Sequence, residues 1–380
     1  MTKPNNQLED RQRRLGEQFD RLGLDALLLN AGSSMTYLTG LSFHLSERPV
    51  VGIFRKDGVP LLVLPELETE KTSNIGFDAQ IHAYGEDTTT WQRAFQRASD
   101  EARLDFATIG LEPERFRVLE LRYFEHAAPR AAFVDGAEAL SVLRARKDAD
   151  EVARIRRAVH IAEKALERVL SHVTPGITER ELASRLTAYL LEGGSAPRLP
   201  FSPIVAFGSS TANPHAVPGD RPLAEGDLLL VDWGANAEGY FSDLTRMFSY
   251  GPVPDDLHRI VHIVREANSA ARDAAAPGRT AGQVDRAARA VVENAGFGSR
   301  FIHRTGHGLG LDVHEPPYIR ANNDVVLEEG MTFTIEPGIY IPQLGGARIE
   351  DDVVVTNNGA ESISTISRKL VDVQSAPDYV

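Results

Sequence analysis

The chain contains an internal repeat, and this repeat limits the fold more than any other feature of the sequence. Residues 223–234, Leu-Ala-Glu-Gly-Asp-Leu-Leu-Leu-Val-Asp-Trp-Gly, return as residues 327–338, Leu-Glu-Glu-Gly-Met-Thr-Phe-Thr-Ile-Glu-Pro-Gly. Before each copy lie a helical stretch that stops near a Pro-Gly pair and a capping box that starts a second helix, at Thr178 and at Thr280. A duplicated helix-helix-hairpin unit predicts two similar halves related by a pseudo-twofold axis.

An acidic residue stands at the same place in each copy, Asp232 in the first and Glu336 in the second. Each follows an apolar strand, and each opens a predicted hairpin that returns a second acid, Asp243 or Glu350. A turn near Ala237 would place the two acids of the first hairpin directly opposite each other, and the second hairpin would do the same. Residues opposed in an antiparallel pair point to one face of the sheet, so four carboxylates should meet there.

Four carboxylates on one face would repel each other strongly unless a cation lay between them. Between the copies, His307 lies in a glycine-flanked run that could bring an imidazole to the same place. Hard carboxylates with one histidine describe a two-metal hydrolytic centre for Mn, Fe, Co or Zn. Two alternatives stay open: Arg246, Arg304 or Arg348 could neutralise the acids in structural salt bridges, and the glycines around His307 could form a phosphate loop.

The composition argues against several classes of partner. The 380 residues are 42% hydrophobic and carry 41 Lys and Arg against 54 Asp and Glu, a net charge of -13. This acidity disfavours nucleic acid and anionic membranes as partners, because both require a basic surface. The chain has no cysteine and begins with a polar stretch that lacks the apolar run of a signal or membrane helix. We therefore expect a cytoplasmic protein.

The chain is expected to form an α/β (α+β) protein of two domains. In residues 1–145, buried strands alternate with amphipathic helices, such as the helix that carries Leu8, Leu15 and Phe19 and ends at Gly23. A charged connector follows, and residues 146–380 contain the duplicated unit. Length alone agrees with about two or three domains.

The second domain resembles a known family of enzymes. Residues 150–370 are similar to the pita-bread metallopeptidases of family M24, which include methionine aminopeptidases, Xaa-Pro aminopeptidases and Xaa-Pro dipeptidases (prolidases). The motifs that carry the resemblance are Val-Asp232-Trp-Gly, Ser-Asp243-Leu-Thr-Arg, Gly-His307-Gly-Leu-Gly, Ile-Glu336-Pro-Gly and Arg348-Ile-Glu350-Asp. The first 145 residues resemble, in their layout, the creatinase-like domain that accompanies the proline-specific peptidases. The resemblance therefore implies a creatinase-like α/β domain followed by a duplicated pita-bread domain.

The resemblance also implies roles for single residues. It assigns two divalent metal ions, manganese first and cobalt, iron or zinc as alternatives, to Asp232, Asp243, His307, Glu336 and Glu350, of which Asp243 and Glu350 would bridge both ions. It assigns substrate contact and proton transfer to His215 and His314, and it places His303, Tyr340 and Arg348 beside a proline pocket. A satisfied loop histidine is the alternative for either catalytic histidine alone. A metal-bridged hydroxide would be the nucleophile.

The expected substrate is a peptide with proline in second position, cleaved at its N-terminal Xaa-Pro bond by a homo-oligomer, most simply a dimer. Dipeptidases of the family often carry an arginine four residues after the second histidine, where this chain has Tyr318, with Arg320 two residues further. This difference favours an aminopeptidase that accepts longer peptides over a prolidase. The remaining alternatives are a creatinase-like hydrolase of non-peptide amides and a peptide-binding module without activity.

Overall fold

An alternation of apolar strands and amphipathic helices builds the first of two units, which ends at Arg144. The computed structural model describes residues 6–375 except Asp57 and Asn74. The start of the polar N-terminal stretch therefore lies outside the described residues. Within the described part of the chain, no helix combines the length and apolar composition needed to cross a membrane.

The first unit contains one six-stranded mixed sheet in the order β4-β3-β2-β1-β5-β6. The predicted first helix and first strand are confirmed, and Leu15 and Phe19 of that helix are each 1% exposed. The elements of this unit are α1 (Asn6–Leu22), β1 (Ala26–Asn30), α2 (Ser33–Thr39), β2 (Val51–Arg55), β3 (Leu61–Pro65), β4 (Gln80–Tyr84), α3 (Trp91–Glu101), β5 (Thr108–Leu111), α4 (Val118–Ala127), β6 (Ala132–Asp135) and α5 (Ala137–Ala145).

The second unit begins at Ala145 and contains two larger sheets, β19-β11-β8-β7 and β13-β12-β14-β17-β18, with two short hairpins, β9-β10 and β15-β16. Its elements are α6 (Ala149–Leu170), α7 (Glu179–Glu192), β7 (Ile204–Phe207), β8 (Asp227–Trp233), β9 (Asn236–Ala237), β10 (Tyr240–Phe241), β11 (Leu244–Tyr250), α8 (Asp255–Ala274), α9 (Ala281–Asn294), β12 (Gly306–Gly308), β13 (Glu315–Ile319), β14 (Thr332–Ile335), β15 (Gly338–Ile341), β16 (Gly345–Arg348), β17 (Asp351–Thr356), β18 (Gly359–Ser362) and β19 (Val371–Asp372).

The predicted duplication is visible in matching backbone connections. Gly176 N donates to Leu223 O at 3.0 Å, and Gly278 N donates to Leu327 O at the same distance. Both glycines have φ of +81°, in the left-handed region that glycine adopts without steric cost. The capping boxes predicted at the start of α7 and of α9 are also both formed. The two halves of the repeat therefore fold in the same way.

The halves meet where their sheets approach each other. Thr245, at the start of β11, forms an isolated antiparallel bridge with Glu350, which directly precedes β17. An apolar cluster contains residues of both halves, among them Leu230 of β8, Val264 of α8 and Phe333 of β14, and each of these side chains is at most 1% exposed. The bridge brings the acidic hairpins of both copies to one place.

The first acidic hairpin has a different register from the one predicted. Its turn falls on Glu238 and Gly239, both at positive φ, as tight two-residue hairpins require. This register pairs Asp232 with Thr245, so the prediction that Asp232 directly opposes Asp243 was wrong. Because strand side chains alternate with a period of two, a shift of two residues leaves Asp243 on the same face.

The second acidic hairpin has the predicted register. Ile335 pairs with Asp351 on one side, and Gly338 pairs with Arg348 on the other. The two pairs have the same register, and this register places Glu336 opposite Glu350. The turn that joins β15 to β16 contains Gln343 at φ +69°.

Candidate metal centre and substrate cavity

The structure brings the five predicted metal ligands together. Each lies in or beside a strand of the second unit: Asp232 in β8, Asp243 before β11, His307 in β12, Glu336 after β14 and Glu350 before β17. Their ligand atoms form overlapping groups within which all distances are below 4.8 Å. One group joins Asp232, Asp243 and Glu350, and another joins His307, Glu336 and Glu350. Glu350 belongs to both groups and so connects the two halves of the cluster.

The glycines beside His307 allow close approach of neighbouring strands. A Cβ at Gly306 would lie 1.8 Å from Thr334 O, and one at Gly308 would lie 2.3 Å from Pro316 O. His307 therefore sits in a paired β-strand, and the glycines serve strand packing, which removes the basis for the phosphate-loop alternative. The His307 Nε2 atom lies 3.4 Å from Glu336 Oε1 and 3.6 Å from Asp243 Oδ2.

Helix α9 holds the loop that leads to His307. Asp285, which is fully buried on this helix, accepts hydrogen bonds from Thr305 N at 3.1 Å and Thr305 Oγ1 at 2.8 Å. Arg289 pairs with Asp285 and donates to His303 O at 3.0 Å. Glu336 N completes the support by donating to Thr305 O at 2.7 Å. The pair of buried Asp285 with partly buried Arg289 thus positions the segment from His303 to His307.

Burial makes the acidic cluster costly in the absence of a cation. It raises the pKa of Asp243 and of Glu350 well above the usual range, and the neighbouring carboxylates raise both further. Burial also raises the pKa of Glu336 to about 7. Buried Asp232 Oδ1 has no hydrogen-bond partner among the described residues. An orphaned carboxylate oxygen, several crowded acids and one imidazole form a donor set that suits divalent transition metals.

Of the three arginines considered as structural partners, Arg348 does contact a cluster acid. Its Nη2 lies 2.5 Å from Asp232 Oδ2, and its other nitrogens donate to Tyr340 Oη at 2.8 Å and Thr245 Oγ1 at 3.1 Å. Arg246 pairs with Asp351 instead. The salt-bridge alternative therefore applies to Asp232 and leaves the other three cluster acids without an arginine partner among the described residues. The contacts with Asp232, Tyr340 and Thr245 fix the orientation of the Arg348 side chain.

The predicted histidines occupy two environments. His314 stands against His307, with ring centroids 4.1 Å apart, and burial followed by nearby Arg304 lowers its pKa. His303 is held between Arg304 O and Tyr340 Oη, and burial lowers its pKa to about 4. Both imidazoles are therefore neutral at pH 7.

A cavity of about 680 Å³ opens over the cluster. It is lined by the five predicted metal ligands, by His215, His303, His314 and Arg348, and by Phe201, Ser202, Ile204, Pro214, Arg304, Val313 and Arg320. Tyr340 stands behind this wall and supports His303 and Arg348. The structure thus brings every predicted substrate residue except Tyr340 to the cavity surface.

Several wall residues were missed by the sequence analysis. Phe201, Ile204, Pro214 and Val313 add apolar surface to the cavity. Phe201 and Ile204 lie outside every motif, whereas Pro214 and Val313 directly precede the predicted histidines His215 and His314. Arg304 was considered only as a partner for the acids. Its guanidinium carbon instead lies 4.5 Å from the Tyr318 ring centroid, the geometry of a cation-π contact.

Comparison with known proteins agrees with this geometry. The model of metallopeptidase family M24 matches residues 153–357, and the model of the creatinase/prolidase N-terminal domain matches residues 11–146. The chain belongs to metallopeptidase family M24. It is an enzyme of this family with a creatinase-like first domain and a pita-bread second domain, as the motifs predicted. An M24 peptidase uses divalent metal ions, and the acidic cluster is where this chain would hold them.

Relatives with assigned activities cover nearly the whole chain. An Xaa-Pro dipeptidase of Lactobacillus delbrueckii subsp. lactis is 34% identical over 349 residues, which are 92% of this chain and 95% of the relative. The crystal structure of dipeptidase PepE from Mycobacterium ulcerans is 34% identical, covers 98% of this chain and 100% of its own, and has a TM-score of 0.90. An X-Pro aminopeptidase structure from Thermotoga maritima is 29% identical, covers 95% and 99%, and has a TM-score of 0.82.

Proposed function

We propose that this M24 enzyme is an Xaa-Pro dipeptidase that uses two divalent metal ions, with manganese as the first candidate. The observation that carries the proposal is the composition of the cavity, which has an acidic cluster at its base and, besides Arg348, two further guanidinium groups, Arg304 and Arg320, in its wall. Within the part of the chain that the structure describes, neither Arg304 nor Arg320 forms an ion pair with an acidic residue. The combination of an acidic cluster and guanidinium groups suits a short substrate with a free carboxylate.

The metal ions would be held by Asp232, Asp243, His307, Glu336 and Glu350. Asp243 and Glu350 would serve both ions. When bound, the ions would polarise the scissile carbonyl group and lower the pKa of a coordinated water molecule. Without them the buried acids are crowded, and burial together with the neighbouring carboxylates raises the pKa of Asp243 and of Glu350. The protein's part is to keep the donors in place.

His314 and His215 are proposed to contact the reacting part of the substrate. Both line the cavity, and His314 lies directly against His307. Because burial and Arg304 lower its pKa, His314 is neutral at pH 7 and can donate a hydrogen bond or accept a proton there. The leaving nitrogen of an Xaa-Pro bond is the proline nitrogen, which must gain a proton when the bond breaks.

The wall of the cavity is proposed to select proline. Phe201, Ile204, Pro214 and Val313 offer apolar surface, which matches a pyrrolidine ring that has no N–H to satisfy. His303 borders the same wall and is held by Tyr340 at 2.9 Å. Tyr340 would act by orienting His303.

Arg304 and Arg320 favour a dipeptide as substrate. Tyr318 occupies the position where many dipeptidases of the family have an arginine, and this substitution alone favours longer peptides. In the folded chain, however, the Arg304 guanidinium lies over the Tyr318 ring, so a positive charge is present in that neighbourhood. Guanidinium groups bind carboxylates through paired, charge-assisted hydrogen bonds. We propose that Arg304, assisted by Arg320, holds the free carboxylate of the substrate.

An Xaa-Pro aminopeptidase for longer peptides remains the second candidate, because the cavity is open and the chain resembles one such structure. A creatinase-like hydrolase of small amides and an inactive binding module are weaker, since all five ligand positions are retained. Homodimer formation is proposed from the family resemblance and is checked by light scattering.

A panel of substrates tests the proposal. Xaa-Pro dipeptides, the same dipeptides amidated at the C-terminus, Xaa-Pro-Xaa tripeptides, a Met-Ala peptide and creatine are assayed with added manganese. A dipeptidase should hydrolyse the free dipeptides best and lose most of its kcat/KM when the carboxylate is amidated. Equal or faster cleavage of tripeptides would establish the aminopeptidase instead, and hydrolysis of creatine alone would contradict both.

A further inference from the structure

The backbone of the second acidic hairpin is interrupted at its two acids. Glu336 and Glu350 face each other by register, yet Glu336 N donates to Thr305 O and Glu350 N donates to Thr245 O. Pro337, which the same register places opposite Ile349, has no N–H to donate across the hairpin. In the first hairpin, by contrast, β8 and β11 pair without a break as far as the end of β8. The hairpin that carries the two glutamates therefore needs support from another element.

Asn268, from the middle of helix α8, provides this support. It is fully buried, and its Nδ2 lies 3.0 Å from Ile335 O and 3.3 Å from Ile349 O, the carbonyl groups directly before the two glutamates. The same nitrogen lies 2.9 Å from Asp351 Oδ2. The side-chain oxygen accepts a hydrogen bond from Arg272 Nε at 2.9 Å, so the orientation of the amide is determined by its neighbours.

We propose that Asn268 is a positioning residue for metal binding, which sets the separation of Glu336 and Glu350 by joining the peptide groups that precede them. The inference rests on the proposed two-metal site. Asn268 does not line the cavity, and its partners are the two carbonyl groups, Asp351 and Arg272, so it reaches the two glutamates through their backbone. An amide suits this role because its two N–H groups can be shared among the two carbonyl groups and Asp351 Oδ2 without adding charge to the cluster.

The test measures metal binding to metal-free protein by calorimetry, with Mn²⁺ and Co²⁺ as probes. Asn268→Leu keeps the approximate volume of the side chain and removes both donors, so it should weaken binding by about tenfold or more. Val264→Ala is the matched control, because Val264 is equally buried one turn earlier on α8. Its side chain has no polar atom and donates no hydrogen bond to either carbonyl group. The control should lower the melting temperature and leave the affinity unchanged.

Unchanged affinity in Asn268→Leu would overturn the inference while leaving the proposed function intact. Wild-type protein that binds no metal would overturn both. If Asn268→Leu does not fold, Asn268→Ser carries the same expectation, since its shorter side chain cannot reach both carbonyl groups. Equal weakening in Val264→Ala would also count against the inference, because the effect would then follow stability alone.

Discussion

Thr245 and Glu350 occupy equivalent positions in the two halves of the repeat, and they bind each other. Thr245 pairs with Asp232 in the first hairpin, as the register pairs Glu350 with Glu336 in the second. Thr245 Oγ1 donates to Glu350 Oε2 at 2.7 Å, while Glu350 N donates to Thr245 O at 3.1 Å. A side chain of one half thus orients an acid of the other at the centre of the candidate site.

Replacing this threonine should weaken metal binding. Thr245→Val preserves the branched shape and removes the hydroxyl donor, so Glu350 loses an orienting contact; we expect affinity for Mn²⁺ to fall by about tenfold. Thr245→Ser keeps the hydroxyl and should bind metal nearly as well as the wild type. Calorimetry on the three proteins checks this, and equal affinities for Val and Ser would show that the contact has no role.

Removing either shared acid should abolish activity. Asp243→Ala and Glu350→Ala each delete a ligand proposed to serve both ions, so metal content and turnover should fall together. Metal analysis of the dialysed proteins is the measurement, with Asp227→Ala, on β8 but paired with Arg221, as a control in the same sheet. Two metals per chain and full activity in either ligand variant would disprove the assignment.

Metal-free protein should lose stability as the pH rises. The pKa of Glu336 is raised from 4.5 to about 7 by burial, so the folded chain holds a proton that the unfolded chain releases between these values. Stability therefore falls with increasing pH across that interval. The pKa of His303 is lowered to about 4, so this residue makes the stability rise with pH between pH 4 and 6.5. The comparison with Glu336→Gln separates the two contributions.

The measurement is the melting temperature of both metal-free proteins from pH 4.5 to pH 8. Relative to Glu336→Gln, the wild type should lose stability progressively over this range, and added Mn²⁺ at high pH should restore part of it. Parallel pH profiles for the two proteins would show that Glu336 does not carry a raised pKa.

Loss of His314 should slow catalysis while the metals stay bound. His314→Ala removes a neutral imidazole beside His307 in the cavity, and a reduction in kcat of roughly 10²-fold or more is expected for lost acid-base help. Metal content by elemental analysis should remain at the wild-type value. A matching loss of metal would instead make His314 a ligand, a role that its grouping with Asp243 and His307 allows.

Arg304 should determine the preference of the enzyme for dipeptides. Arg304→Met keeps the length of the side chain and removes its charge, so KM for an Xaa-Pro dipeptide should rise by about 10- to 100-fold, as expected for a lost charge-assisted hydrogen bond. Amidated dipeptide should be affected little. Arg300→Met, at an exposed arginine that does not line the cavity, is the control. Equal effects on free and amidated substrate would exclude carboxylate binding by Arg304.

Local sequence patterns were sufficient to predict the first helix, the two capping boxes and the repeat. A capping box such as Thr178 to Glu181 involves residues within one helical turn, and the apolar spacing of a helix reports which face it buries. The motifs also identified the candidate ligands, because a carboxylate after an apolar strand is rare without a partner. These features depend on neighbours close in the chain.

Contacts between distant residues were decided by the tertiary structure. The turn at Glu238 and Gly239 set a register two residues away from the predicted one, and this made Thr245, and not Asp243, the counterpart of Glu350. Arg304 could not be placed over Tyr318 from sequence, since nothing in a linear pattern shows which of several arginines faces an acid and which faces a cavity.

The sequence by itself therefore determined the duplicated architecture, the two-domain family and the residue types of the candidate site. Only the tertiary structure decided how these side chains are supported: Arg348 against Asp232, Thr245 against Glu350, and Asn268 between the two strands of the second hairpin. The physical reason is that periodicity and capping depend on short-range backbone geometry. A buried polar group takes whichever partner the packing of distant elements brings within hydrogen-bond distance.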